Sequence, residues 1–147
     1  MLLLGTRNAT TQTLATGELV NLGSVYRRFC KKNACGVPAF LFDGNSITLN
    51  HSGIYHLTLT AIVSSATAGD VTIQLFDNGV AIPSALATET ITTADTEFHT
   101  TVIDTYILVD KGCVLGEPTV LAKNITAVLT DNEATITNLV VNVDKVV

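Results

Sequence analysis

The chain has 147 residues, with 8 Lys plus Arg against 13 Asp plus Glu and a formal charge of −5. That length suits one domain able to bury roughly 70% of its unfolded surface, and 47% hydrophobic against 14% charged residues excludes a disordered chain. The acidic balance argues against sequence-independent nucleic-acid binding, which needs clustered Lys and Arg to displace counterions.

Residues 1–16 read as an arm, rich in Thr and poor in periodic apolar content, ahead of a domain over 17–147. The first strand is predicted over Glu18 to Phe29, where Leu19, Val25 and Phe29 alternate with polar neighbours. A cysteine-bearing loop, Cys30 to Gly36, follows. Ala39 to Phe42 and Ser46 to Leu49 are short strands split by the turn Asp43-Gly44-Asn45. In Ile54 to Ser64 one face reads Tyr55, Leu57, Leu59, Ala61 and Val63, the other Ile54, His56, Thr58, Thr60 and Ile62. Val71 to Phe76 alternates almost strictly, and Asp77-Asn78-Gly79 is a tight-turn signal, since Asn and Gly tolerate positive φ. A weaker strand spans Leu86 to Thr92 and a long one Glu97 to Val109. Val120 to Thr130 and Ala134 to Val146 finish the series.

The composition agrees with this pattern. Thr is the commonest residue at 23, ahead of Leu at 17 and Val at 16. Thr and Val are stiff at χ1 and suit a pleated surface, and no stretch shows convincing helical spacing. Apolar runs such as Val37 to Phe42 fall far short of the roughly 20 residues of a spanning helix. Met1 to Gly5 lacks a basic segment and is too short for a secretory leader. The fold class expected is therefore all-β, with about eight to ten strands at the spacing of a sandwich or barrel.

Within that series, Ser46 to Tyr55 resembles the Gly-x-Tyr strand start of the tumour necrosis factor and complement globular-head jelly roll, with Gly53 and Tyr55 as the signature pair. Gly69 to Pro83 resembles the following hairpin of that superfamily, with Gly79 in its turn. Over about residues 14 to 146 the chain is more specifically similar to short proteins encoded in phages and prophages of Gram-positive gut bacteria. Those share a basic-ended first strand, a Gly-x-Tyr strand, a Gly-Val-x-Ile-Pro hairpin and a Val-rich last strand. The resemblance implies a two-sheet jelly-roll sandwich that trimerises, and a role on the virion surface such as capsid decoration or a fibre head.

Few residues suggest chemistry. Cys30 and Cys35 flank Lys31 and Lys32, with Cys113 apart. A zinc ribbon needs two such pairs, so loop thiols in a reducing cytoplasm are the expected state. His51, His56 and His99 are expected to be hydrogen-bonded or exposed; only three-fold symmetry would gather one from each chain around a metal. The aspartates fall mostly at turns, except Asp104, which shares strand parity with Phe98, Val102, Tyr106 and Leu108. If that face is core, Asp104 needs a partner such as Tyr106 or Thr100. No nucleophile elbow, phosphate-cradling loop or calcium loop is present, so neither catalysis nor a cofactor is expected. Arg27, Arg28, Lys31 and Lys32 form the one basic cluster, a candidate attachment surface for an acidic partner.

The function expected is that of a non-enzymatic virion structural protein made in the bacterial host cytoplasm. It would be a homotrimeric capsid decoration or head-fibre protein whose partners are itself and the major capsid or another virion protein, without nucleic acid or membrane. The alternative is a receptor- or glycan-binding head of a phage fibre. Against it stand the scarce aromatics, 5% of the chain, with Tyr26, Tyr55 and Tyr106 all in predicted strands.

Overall fold

The computed structural model describes residues 2–30, 32, 36–114 and 117–147. The strands in chain order are β1 Leu2–Asn8, β2 Gln12–Leu14, β3 Ser24–Arg28, β4 Phe40–Phe42, β5 Ser46–Leu49, β6 Gly53–Ser64, β7 Gly69–Asp77, β8 Val80–Ile91, β9 His99–Val109, β10 Lys111–Val114, β11 Glu117–Val120, β12 Lys123–Asp131 and β13 Ala134–Lys145. One sheet, A, runs β3-β1-β13-β6-β9, with β2 also on β13; the other, B, runs β4-β5-β12-β7-β8, and β10-β11 is a separate hairpin. All the sheet pairings are antiparallel. Because β5, β7, β8 and β12 lie in one sheet and β6, β9 and β13 in the other, the chain shuttles between layers, as a jelly roll requires. The all-β two-sheet expectation holds.

The alternation in β6 places its side chains as expected. Tyr55, Leu57, Leu59, Ala61 and Val63 are all buried, facing Val71, Ile73 and Leu75 of β7 and Ile125, Ala127 and Leu129 of β12 in one continuous core. Fully burying an aliphatic side chain is worth about 1.5–3 kcal/mol, so these facing rows are the main force holding the layers together. The Asp77-Asn78-Gly79 turn also forms as expected, with φ of 49° at Asn78 and 81° at Gly79 joining β7 to β8.

Two expectations are overturned. Residues 1–16 are not an arm: β1 sits inside sheet A between β3 and β13, and β2 pairs with Ala134 to Ile136. Leu3 and Leu4 are both buried because the β1–β13 register shifts between Leu2 and Leu4, a bulge that turns two consecutive side chains inward. That bulge breaks the alternation a sequence reading depends on. The single strand expected over Glu18 to Phe29 is likewise split between the two sheets. Gly17 N donates to Leu129 O at 2.6 Å and Val20 N to Ala127 O at 2.8 Å, so this part runs along β12, whereas Ser24–Arg28 joins sheet A as β3. The crossing is at Gly23, with φ 83° and no room for a Cβ against the backbone of Arg7 and Asn8.

Candidate functional site

Sheet A has one face on the core and one outward, and antiparallel pairing of β6 with β9 decides which residues meet there. On the core side Tyr55 opposes Ile107, Leu57 opposes Thr105, Leu59 opposes Ile103 and Ala61 opposes Thr101. Strand pleating then sends the other set outward: Ile54 beside Leu108, His56 beside Tyr106, Thr58 beside Asp104, Thr60 beside Val102 and Ile62 beside Thr100. The possibility that Asp104, Tyr106 and Val102 face the core is therefore excluded.

What that leaves outside is unusual. Val102 is 53% exposed, Tyr106 65% and Leu108 58%, while Phe98, just before the strand, is 64% exposed. Scattered apolar residues on a surface are ordinary, but several on one face of one strand, interrupted here by Asp104, point to an interaction face. β9 is also the outer strand of its sheet, and among the described residues no strand pairs with it on the side away from β6.

Polar groups on this face are ordered with the apolar ones. The Nε2–H of His56 donates to Asp104 Oδ1 at 2.5 Å, and the imidazole stacks on the Tyr106 ring with centroids 4.9 Å apart and planes 25° from parallel. Asp104 therefore has a partner, His56, in place of Tyr106 or Thr100. Further along the sheet, the Tyr26 hydroxyl donates to Asn142 Oδ1 at 2.5 Å. These bonds hold aromatic rings against the sheet, which lowers the entropy lost when a partner covers them.

The other predicted residues lie elsewhere. Tyr55 is fully buried; its hydroxyl donates to His51 O at 2.7 Å, and burial pushes its pKa up to about 12. Gly53 (φ 147°) packs so closely on the backbone of Val147 that a Cβ there would collide with that carbonyl. Arg27 and Arg28 are exposed on the outer strand β3, and the Arg28 guanidinium lies 5.4 Å from the Phe40 ring centroid. That stacking turns Arg28 toward a groove of about 300 Å³ lined also by Leu41, Phe42, Ser46, Thr48 and Asn124. Lys32 is exposed and bridges Pro38 through its backbone. Lys31 and Cys35 lie outside the described residues, as does the side chain of Cys113. Cys30 is half-buried, its thiol 3.7 Å from Phe40 O.

His51, Glu97 with His99, and Asp43 are each held by hydrogen bonds in or beside loops. His51 Nε2 lies 2.9 Å from Val37 O. Glu97 accepts from the backbone N–H of Thr92 and Thr93 at 2.6 and 2.7 Å and from His99 Nε2 at 2.8 Å. Those bonds, chiefly from the Thr93 backbone and then from His99, hold its pKa down at about 2. Asp43 is lowered in the same way by the backbone N–H of Asn45 and Ser46. Among the described residues no group of three or more His, Cys, Asp or Glu is placed to hold a metal, and no helix is long and apolar enough to cross a membrane.

Strand order and layering thus define a two-sheet jelly roll of the tumour necrosis factor type. Among solved structures the chain is similar to Eiger TNF from S. frugiperda, at a TM-score of 0.65 and 5% sequence identity, over 99% of this chain and 93% of that one. It is also similar to CBM35 from Cellvibrio japonicus Abf62, at a TM-score of 0.43 and 15% identity, over 97% and 96% of the two chains. No family model matches, and no curated protein sequence does.

The exposed row on β9 is only half legible in the sequence. Both parities of Glu97 to Val109 carry apolar residues, which is the signal of a strand with two covered faces. Parity alone does not say which face meets the core; the register with β6 does.

Proposed function

We propose that the chain is a non-enzymatic structural protein that works as a homotrimer on the surface of a phage particle, as a capsid decoration or head-fibre protein. The observation that carries the assembly is the exposed row Val102, Tyr106 and Leu108 on β9, flanked by Ile54 of β6. Obligate interfaces are apolar at their centre, and this row sets three exposed apolar side chains around a single carboxylate, Asp104, which is paired with His56. The virion setting is supported by the sequence resemblance of Ser46 to Tyr55 and Gly69 to Pro83. The basic end of β3, with Arg27, Arg28 and the nearby Lys32, is the surface proposed to meet a capsid or other virion protein.

Solution mass by light scattering tests the assembly. A value near three times 15.5 kDa supports it, and a monomer that persists at high concentration refutes it. Tyr106→Asp combined with Leu108→Asp should give a folded monomer, because both side chains already face outward. Stoichiometric retention of the protein on empty capsids tests the decoration role.

The second reading, a receptor- or glycan-binding head of a phage fibre, gains from one structural difference. The three tyrosines lie in strands as expected, but strand placement does not bury them all: Tyr26 and Tyr106 are both exposed.

A further inference from the structure

At one end of the sandwich, the turn from β1 to β2 and the segment entering β3 enclose an open cleft of about 630 Å³. Small-molecule sites fall at roughly 300–1,000 Å³. Arg7, Asn8, Thr10, Gln12, Asn21 and Ser24 supply the polar lining. Among the described residues no carboxylate lines it, although the chain has 13 Asp and Glu against 8 Lys and Arg.

The walls are stitched together by the protein itself. Asn21 N donates to Gln12 Oε1, and Gln12 Nε2 donates back to Asn21 O, both at 2.9 Å. Asn8 Nδ2 adds a bond to Asn21 O at 3.0 Å. Asn21 Oδ1 accepts from Gly23 N at 2.8 Å, and Asn8 Oδ1 accepts from Thr10 N at 2.9 Å. The side-chain acceptors of Asn8, Gln12 and Asn21 are thus occupied internally.

The donors are not. Among the described residues the Arg7 guanidinium, the Asn21 Nδ2 and the hydroxyls of Thr10 and Ser24 have no hydrogen-bond partner. Arg7 is nonetheless held in place, with its Cζ 5.9 Å from the Tyr26 ring centroid and Tyr26 bonded in turn to Asn142. An open cleft with walls bonded to each other, spare donors, occupied acceptors and a guanidinium free of hydrogen bonds among the described residues complements an acceptor-rich anion. The guanidinium fork fits a carboxylate or phosphate through two parallel bonds, and the amide and hydroxyl donors fit sugar or polyol oxygens. We propose that this cleft binds a short anionic carbohydrate or polyol with its acid group on Arg7. The inference rests on the second reading and names its ligand class; it does not need the trimer, since no residue of β6 or β9 lines the cleft.

The test is a titration of the isotope-labelled full chain, followed through its backbone amide signals. The probes are a galacturonic acid trimer, glycerol phosphate and a neutral galactose trimer. The acidic sugar, the phosphate or both should shift Asn8, Thr10, Asn21 and Ser24, while the neutral trimer should not. Response to one acid alone identifies which anion the site takes, and either supports the site. Arg7→Gln should weaken binding about tenfold or more, the loss of a charged hydrogen-bond pair, with Arg7→Lys in between. Arg7 is exposed, and an unchanged melting curve shows that the variants fold. No shift at about 10 mM, tenfold above a millimolar Kd, overturns the site. So does a response equal for the neutral trimer and indifferent to Arg7→Gln. Binding that maps to another surface overturns this site while leaving the glycan-head reading standing.

Discussion

Thr101 and Thr6 each bury a hydroxyl that finds no hydrogen-bond partner among the described residues. Thr101 is 1% exposed on the core face of β9, and Thr6 is 0% exposed in β1. Valine has the same branched shape, so Thr101→Val exchanges the hydroxyl for a methyl group without opening a cavity or forcing a rotamer. Burying an unpaired hydroxyl costs about 1–3 kcal/mol on mutational scales. Each substitution is therefore expected to stabilise the fold by about 1–2 kcal/mol, a rise in Tm of roughly 2–8 °C for a chain of this length. The two sites lie on strands three steps apart in sheet A, about 14 Å at the usual strand spacing, so the gains should add. Urea and thermal unfolding at one fixed protein concentration measure them, since an oligomer's Tm depends on concentration. Thr88→Val is the control: its hydroxyl bonds Thr72 at 2.8 Å on the exposed side of the sheet, and its loss should bring no gain. If Thr101→Val destabilises the protein, the hydroxyl has a partner and the reasoning is wrong.

Gly53→Ala should cost about 1–3 kcal/mol, because alanine at φ 147° is strained and its Cβ meets the Val147 carbonyl; an unchanged urea midpoint would contradict this. Tyr55→Phe removes the bond to His51 O and should cost about 1 kcal/mol. Since the Tyr55 pKa rises from 10.0 to about 12 on folding, its contribution is complete below pH 10 and is lost as pH climbs through about 12. An ultraviolet titration should show a late tyrosine that the variant lacks. Glu97 has the opposite sign: with its pKa lowered from 4.5 to about 2, its contribution is present above pH 4.5 and disappears as pH falls toward 2. Glu97→Gln should flatten the acid limb of a plot of Tm against pH, and an identical limb in both proteins would exclude the loop bonds as its cause.

The parts of the fold legible in the sequence are those where one rule acts alone. Strict alternation in Ile54 to Ser64 and the Asp77-Asn78-Gly79 turn needed no partner strand to be read. β1 was hidden because its bulge places Leu3 and Leu4 on one side and because Thr6, a polar residue, is buried in it. The split of residues 17–28 between two sheets depends on Gly23 crossing over Arg7, a contact between residues 16 positions apart. The outward row on β9 could be listed but not aimed, since Ile103 and Ile107 make the opposite face equally apolar. The Arg7 cleft was illegible for a similar reason: Gln12 and Asn21 meet only once the chain has folded back.

The placement of β13 has a consequence for the order in which the molecule can be made. Residues 134–145 form a central strand of sheet A, hydrogen-bonded to β1 and β6, yet they leave the ribosome after every strand they join. Until then β1 and β6 have no strand between them, and each presents a row of unpaired amides beside buried-type side chains. Such open rows pair readily with a neighbouring nascent chain. Sheet A is therefore completed only after synthesis has passed residue 145, and growth at low temperature or slow expression should raise the soluble yield by giving β13 time to reach its slot before another chain does.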